Sequence, residues 1–160
     1  MNIQVLRDKR MQVYEIIKHI FDLEKEVGGG MHEPVYQKML EVKFDKALMP
    51  NEPQKEIDIE YHGVKIEKIY KPDFVCFGNV ILEIKAVKDL AAEHRVQLFN
   101  YMRLTHTEVG ILANFRYDKA ICERYFLDME TNKVYPFHYD KITKEPVVDT
   151  STPQIGRENS

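Results

Sequence analysis

The chain has 160 residues, 23 Lys plus Arg against 26 Asp plus Glu, 44% hydrophobic residues and two cysteines. These values predict one globular domain with a real core and exclude a disordered, collagen-like or disulfide-dense chain. A formal net charge of −3 gives no global attraction for nucleic acid. No apolar run is long enough for a transmembrane helix, and charges break up the N-terminal segment, which is not expected to act as a signal peptide. Cys76 and Cys122 lack metal-ligand spacing and read as two reduced thiols, so a cytoplasmic location is expected.

In chain order, Val13, Ile16, Ile17, Ile20 and Phe21 have the spacing of one helical face. Three glycines, Gly28 to Gly30, can adopt the backbone angles that end such a helix in a sharp turn. A second helix follows, with Pro34 in its first turn and Val35, Tyr36, Met39, Leu40, Phe44 and Leu48 as its buried side. The period then changes to two. Ile57 to Tyr61 and Val64 to Ile66 flank His62-Gly63 as a hairpin, and Asp73 to Phe77 and Val80 to Lys85 flank Gly78-Asn79 as a second. A helix from about Asp89 to Leu104, a strand from Val109 to Phe115 and another from Ile121 to Leu127 complete the pattern. This order predicts an α/β fold with a mixed central sheet flanked by helices. The domain is expected over residues 1–140, and the Pro-, Ser- and Thr-rich segment 141–160 is expected to be a mobile tail.

The chemistry concentrates at Pro72-Asp73 and Glu83-Ile84-Lys85. Two strands joined by a short turn bring Asp73 toward Glu83, and period two places Glu83 and Lys85 on one face. Two carboxylates with the Ile84 backbone carbonyl between them suit Mg²⁺ or Mn²⁺, and the Lys85 ammonium could orient a water, which is a recipe for phosphodiester hydrolysis. The same residues also fit a solvated cross-strand ion pair. Against that bland reading, Glu83 and Lys85 interrupt the apolar run VILEIKAV, where charge is costly without partners or a purpose.

At these residues the chain resembles a known family. Gly30-Met31-His32-Glu33-Pro34-Val35-Tyr36 has the spacing of the GxxExxY proteins, small bacterial members of the PD-(D/E)XK nuclease superfamily. Tyr70 to Asp73, Val80 to Ala86, His94 to Tyr101 and Gly110 to Phe115 are similar to further blocks of that family, so the resemblance runs from about residue 11 to about residue 127. Gly29 stands where the family usually has Pro.

The resemblance implies a restriction-endonuclease-like core and a Mg²⁺- or Mn²⁺-dependent nuclease acting on nucleic acid, most simply DNA. It implies Glu33, Asp73 and Glu83 as metal ligands, Lys85 as the catalytic lysine, and Gln97 and Tyr101 as the Gln-x-x-x-Tyr element of the RecB-like and lambda-exonuclease-like branches. Glu33 could equally be a helix-start acid favoured by the helix dipole, Tyr36 a core aromatic rather than a substrate contact, and Gln97 with Tyr101 a polar pair at a helix–sheet seam.

Between Ile84 and Leu104, Lys85, Lys88, Arg95 and Arg103 outnumber Asp89 and Glu93, and Lys88 or Arg95 could hold phosphate. No row of aromatics marks a platform for single strands, and no helix-turn-helix or zinc module is evident. A non-catalytic module that binds nucleic acid or protein is the alternative. Oligomeric state is left open.

Overall fold

A computed structural model describes residues 1–151 of the chain, without the side chains of residues 67–69. Helices α1 (Gln4–Asp8), α2 (Arg10–Val27) and α3 (Glu33–Lys46) precede strands β1 (Asn51–Pro53), β2 (Ile57–Tyr61), β3 (Val64–Tyr70), β4 (Phe74–Cys76) and β5 (Val80–Lys85). Helix α4 (Ala92–Thr105) and strands β6 (Val109–Phe115), β7 (Ala120–Asp128), β8 (Lys133–Tyr139) and β9 (Pro146–Val148) complete the order. Seven strands form one sheet in the order β1-β4-β5-β6-β7-β8-β9, while β2 and β3 make a separate hairpin. Among the described residues of the large sheet only β5 and β6 run parallel, because α4 carries the chain back between them; short turns and loops leave the other sequential pairs antiparallel, and the β2–β3 hairpin intervenes between antiparallel β1 and β4. The mixed sheet with flanking helices is the expected architecture.

The alternation of residues sorts the sheet into two faces. Phe74, Leu82, Ile84, Ile111, Ala113, Phe115 and Phe126 join Ile16, Ile20, Tyr36, Leu40 and Phe44 in a core beneath α2 and α3. On the opposite face Ile81, Leu112, Tyr125 and Leu127 pack with Leu98, Phe99, Tyr101 and Met102 of α4. Tight packing at Gly110 explains its lack of a side chain: a Cβ there would lie 2.6 Å from the Met102 sulfur.

Local chemistry accounts for most boundaries. Helix α2 ends at Gly28, whose φ of +73° favours glycine. His62 and Gly63, with φ of +50° and +77°, give the mirror-image turn that matches strand twist in the β2–β3 hairpin. The turn before β5 lies one residue earlier than expected, with positive φ at Phe77 and Gly78 rather than at Gly78 and Asn79.

Several expectations are corrected. Leu48 is not on the buried side of α3: the helix ends at Lys46, Leu48 takes a φ of +55° and is 89% exposed, and Met49 enters the core instead. Phe21 lies off the buried stripe of α2, where Leu23 is the inward residue. The segment from residue 141 is not wholly a tail, because β9 pairs with β8 through Phe137↔Val148 and Tyr139↔Pro146. Strands β1 and β8 and helix α1 are additions to the expected order. Residues 152–160 lie outside the described residues.

Candidate active site

Antiparallel pairing of β4 and β5 sets Phe74 opposite Leu82, so Asp73, one residue earlier, falls opposite Glu83. The Asp73 N–H donates to Glu83 Oε1 at 3.1 Å, and the Ile84 N–H donates to Asp73 Oδ2 at 2.7 Å. The two carboxyls are therefore locked together by backbone donors, not only by sequence proximity. Glu83, two residues from Lys85 on the same strand, projects with it toward the α4 face, whereas Phe74, Leu82 and Ile84 turn into the core beneath α2 and α3.

This pair is buried, with Asp73 8% and Glu83 3% exposed. Burial pushes the Glu83 carboxyl well above the ordinary carboxylate range, and the negative charge of Asp73 adds to that rise. Asp73 is also raised by burial, but the Ile84 N–H and the Lys85 charge oppose the rise. Glu33, at the start of α3, is raised by burial, held back by Lys85 and raised further by Asp73, so it lies within the electrostatic reach of the site. Two buried carboxyls with an acid and an ammonium nearby make a strongly polarised pocket in a low-dielectric wall.

Three residues not singled out from sequence hold Asp73 and the adjoining loop. Gln54 Nε2 donates to Asp73 Oδ1 at 3.2 Å, and the Gln54 N–H donates to the Asp73 carbonyl at 3.0 Å. Gln37, one turn after Glu33 on α3, reaches the same carbonyl at 3.4 Å. Asn114, 1% exposed, both donates to and accepts from the Val87 backbone at 2.9 and 3.0 Å, fixing the segment that follows Lys85. Asn114 had a signal, as the lone amide in the apolar run of β6; Gln54, on an irregular segment, had none.

Lys85 Nζ lies 3.5 Å from Gln97 Oε1, and Gln97 Nε2 donates to the Tyr101 hydroxyl at 3.3 Å. Gln97 and Tyr101 thus share a face of α4 and link it to β5. Tyr101 is 6% exposed and packs edge-on against Tyr70, with ring centroids 5.1 Å apart. Its phenol is raised by burial and then by the Glu83 charge, which places it beside the carboxyl pair.

Two of the candidate substrate contacts are engaged within the protein. Tyr36 is 0% exposed, stacks on Phe115 with centroids 4.3 Å apart and donates its hydroxyl to the Gly28 carbonyl at 2.7 Å, so it staples the glycine turn and offers no surface to a ligand. Arg95 donates two hydrogen bonds to the Glu123 carboxylate, at 2.7 and 2.8 Å, and this pairing raises its already high pKa. Its fork is already occupied by a protein partner. Lys88, in contrast, is exposed and forms no ion pair among the described residues.

A cleft of about 710 Å³ opens where β5 and β6 end, lined by Gly30 to Pro34, Ala86 to Lys88 and Phe115 to Asp118. Ligands in open α/β sheets favour this position, outside the carboxyl ends of parallel strands. The Gly29 backbone is pressed against the β6–β7 turn so closely that a Cβ would sit 2.2 Å from the Tyr117 carbonyl oxygen. That contact fixes the loop that leads into Glu33.

The donor set near Asp73 and Glu83 consists of carboxylate and carbonyl oxygens, and its concentrated negative charge fits a hard divalent cation. Among the described residues, however, no three His, Cys, Asp or Glu side chains are gathered closely enough to cage an ion. Asp73 and Glu83 come together; Glu33 approaches from a different element.

Comparison with known proteins concerns the family and fold. A sequence model of the PD-(D/E)XK nuclease superfamily, whose members generally use divalent metal ions, matches residues 10–125. No curated protein sequence matches the chain. Solved structures with similarity include one titled "Crystal structure of SSO0001", 20% identical, with a TM-score of 0.49, covering 62% of this chain and 53% of that one. The present chain therefore spans about half the length of that relative. The seven-stranded mixed sheet flanked by helices is of restriction-endonuclease-like type. Carrying the superfamily's match over most of its length, the chain belongs to the PD-(D/E)XK nuclease superfamily.

Proposed function

We propose that this protein is a divalent-metal-dependent nuclease that hydrolyses DNA phosphodiester bonds. One observation carries the reading: Asp73 and Glu83 are buried side by side on adjacent strands, with Lys85 on the same face. A buried like-charge pair costs stability unless a cation or a proton compensates it. Asp73 and Glu83, with Glu33 and the Ile84 backbone carbonyl, would hold Mg²⁺ or Mn²⁺. When bound, the ion supplies charge compensation for the phosphate and a water of lowered pKa. Lys85 positions that water or the phosphate through its ammonium, and Gln97, with Tyr101 behind it, orients Lys85. Lys88, exposed at the cleft rim, contributes a phosphate contact. Arg95, bound to Glu123, acts as a positioning residue that fixes α4 over the sheet.

Within the superfamily, the spacing Gly30, Glu33, Tyr36 and the pair Gln97 and Tyr101 support a place among the GxxExxY proteins, near the RecB-like and lambda-exonuclease-like branches. The free thiols of Cys76 and Cys122 suit a reducing, cytoplasmic setting. The alternative, a binding module on a nuclease fold, is favoured by one observation, the lack of a three-ligand cluster among the described residues.

The test is Mg²⁺- or Mn²⁺-dependent cleavage of linear, nicked and single-stranded DNA. Glu83→Ala and Lys85→Ala are each expected to lower the rate by at least about 10²-fold while the protein stays folded. Cleavage that survives both changes would overturn the reading. Calorimetry with Mn²⁺ separates the alternative, which predicts no binding that depends on the carboxylates.

A further inference from the structure

On the sheet face opposite Asp73 and Glu83, helix α2 borders a groove of about 1040 Å³ whose other wall comes from β7, β8 and the β8–β9 turn. Arg124 lies on that face because it pairs with Ile111, a residue of the core beneath α2. The groove contains Arg10, Lys18, Lys25, Arg124, Lys141 and Lys144 but only two carboxylates, Asp22 and Asp140. Six cations against two acids are a local reversal of a chain whose net charge is −3.

Both acids are already engaged. Asp22 is bonded by Lys18 at 2.6 Å, and Asp140 accepts the N–H groups of Ile142 and Thr143 at 2.9 and 2.8 Å. Among the described residues Arg10, Arg124 and Lys141 form no ion pair, Lys25 meets Asp22 only through its charge at longer range, and the Arg124 Nε is buried without a hydrogen-bond partner. Arg124 nevertheless lines the groove, where an anionic oxygen could accept from its guanidinium.

The groove also presents apolar surface that a purely electrostatic patch would not need. Tyr14 and Phe21 are 57% and 37% exposed, and Ile142 on the facing turn is 90% exposed. Tyr14 and Phe21 are seven residues apart, two turns along the same side of α2. From Arg10 to Lys25 the helix spans roughly 22 Å at 1.5 Å per residue, long enough to run along several nucleotides. Cations that track a backbone and aromatics that meet its bases are what single-stranded nucleic acid requires.

We infer that the α2 groove is a second, non-catalytic binding site for single-stranded nucleic acid, distinct from the cleft at Glu33. Arg10, Lys25 and Arg124 contact phosphates, and Tyr14 and Phe21 stack on bases. The site goes beyond the nuclease reading, because it requires no metal and lies on the other side of the sheet. The aromatics are visible in the sequence, but periodicity assigns Phe21 to the core and composition assigns the cations of the β8–β9 turn to a tail.

The test uses the full chain and a labelled dT12 oligonucleotide in EDTA, with binding followed by fluorescence anisotropy over a range of salt. Arg10→Glu combined with Lys25→Glu is expected to weaken binding at least tenfold and to flatten the salt dependence, by about 0.7 in logarithmic slope for each phosphate no longer neutralised. Tyr14→Ala with Phe21→Ala is expected to weaken dT12 about tenfold while leaving an abasic 12-mer of equal charge unchanged. Circular dichroism melts verify that the exposed substitutions leave the fold intact.

Binding that ignores the Arg10 and Lys25 reversals would overturn the site. Equal binding of dT12 and the abasic strand, or tighter binding of duplex than of dT12, would overturn its assignment to single strands. The nuclease reading fails separately: a chain that binds dT12 through the groove but never cleaves DNA would overturn the nuclease reading alone.

Discussion

The two faces of the sheet are built to different rules. Beneath α2 and α3, Phe44, Phe74, Tyr36 and Phe115 form aromatic contacts in an almost wholly apolar layer, with Phe44 and Phe74 edge-on at 5.1 Å. Under α4, apolar residues at one end give way to Asp73, Glu83, Lys85, Asn114 and Glu123 at the other. One face is given over to cohesion up to the cationic groove beside α2, and the other carries buried carboxyls where a reacting group could be held. The difference teaches that a single strand can serve both ends: alternate residues of β5 stabilise the fold through Leu82 and Ile84 and polarise a site through Glu83 and Lys85.

The largest effect that sharpens this comparison is expected on the apolar side. Phe44→Ala removes a fully buried ring and should cost about 3–5 kcal/mol, measured by urea unfolding. Glu83→Ala should cost less, about 1–3 kcal/mol, because it leaves the Asp73 N–H without its acceptor while relieving the repulsion with Asp73. If both variants destabilised equally, the division between the faces would be broken.

A smaller effect is expected at the seam between them. Gly29→Ala sets a Cβ against the Tyr117 backbone, which cannot turn aside as a side chain could, and should cost about 1–3 kcal/mol. Because the same loop leads into Glu33, cleavage should fall as well, whereas Gly28→Ala meets nothing within 4 Å and incurs only the cost of its φ of +73°. Melting temperatures and cleavage rates of the two variants check the contrast.

The smallest effect is a pH dependence of metal-free stability. Folded-state pKa values of Asp73 and Glu83 lie above the ordinary 3.8 and 4.5, so the folded protein holds protons that the unfolded chain releases. Their contribution is fully present below those ordinary values and is lost as pH rises through the higher folded ones. In EDTA, the melting temperature of wild type should fall on that rise relative to Asp73→Asn combined with Glu83→Gln. Mn²⁺ should raise the wild-type melting temperature most at the high-pH end, where the carboxyls are ionised. An identical pH profile for wild type and variant would remove the linkage.

Much of the fold was legible because periodicity is a local property. Val13, Ile16, Ile17 and Ile20 announce the buried stripe of α2, and Ile81, Glu83 and Lys85 the alternation of β5, without reference to any distant residue. The ends were harder. Whether α3 continues to Leu48 depends on how its last turn meets β1, and β9 is three residues whose only reason to be extended is the free edge of β8. At the site, spacing and alternation brought forward Asp73, Glu83 and Lys85, which register joins, and helical period put Tyr36 on the buried side of α3, where it lies.

By itself the sequence determined which residues could be helix, strand and turn, and that a carboxylate pair with a lysine interrupts an apolar strand. Those follow from backbone sterics, side-chain periodicity and the cost of burying charge, all of which act over a few residues. Only the tertiary structure decided that Arg95 is consumed by Glu123, that Gln54 braces Asp73, and that cations more than 100 residues apart, from Arg10 to Lys141, line one groove. Such pairings depend on which surfaces the packed core brings face to face, and no local pattern in the chain encodes that.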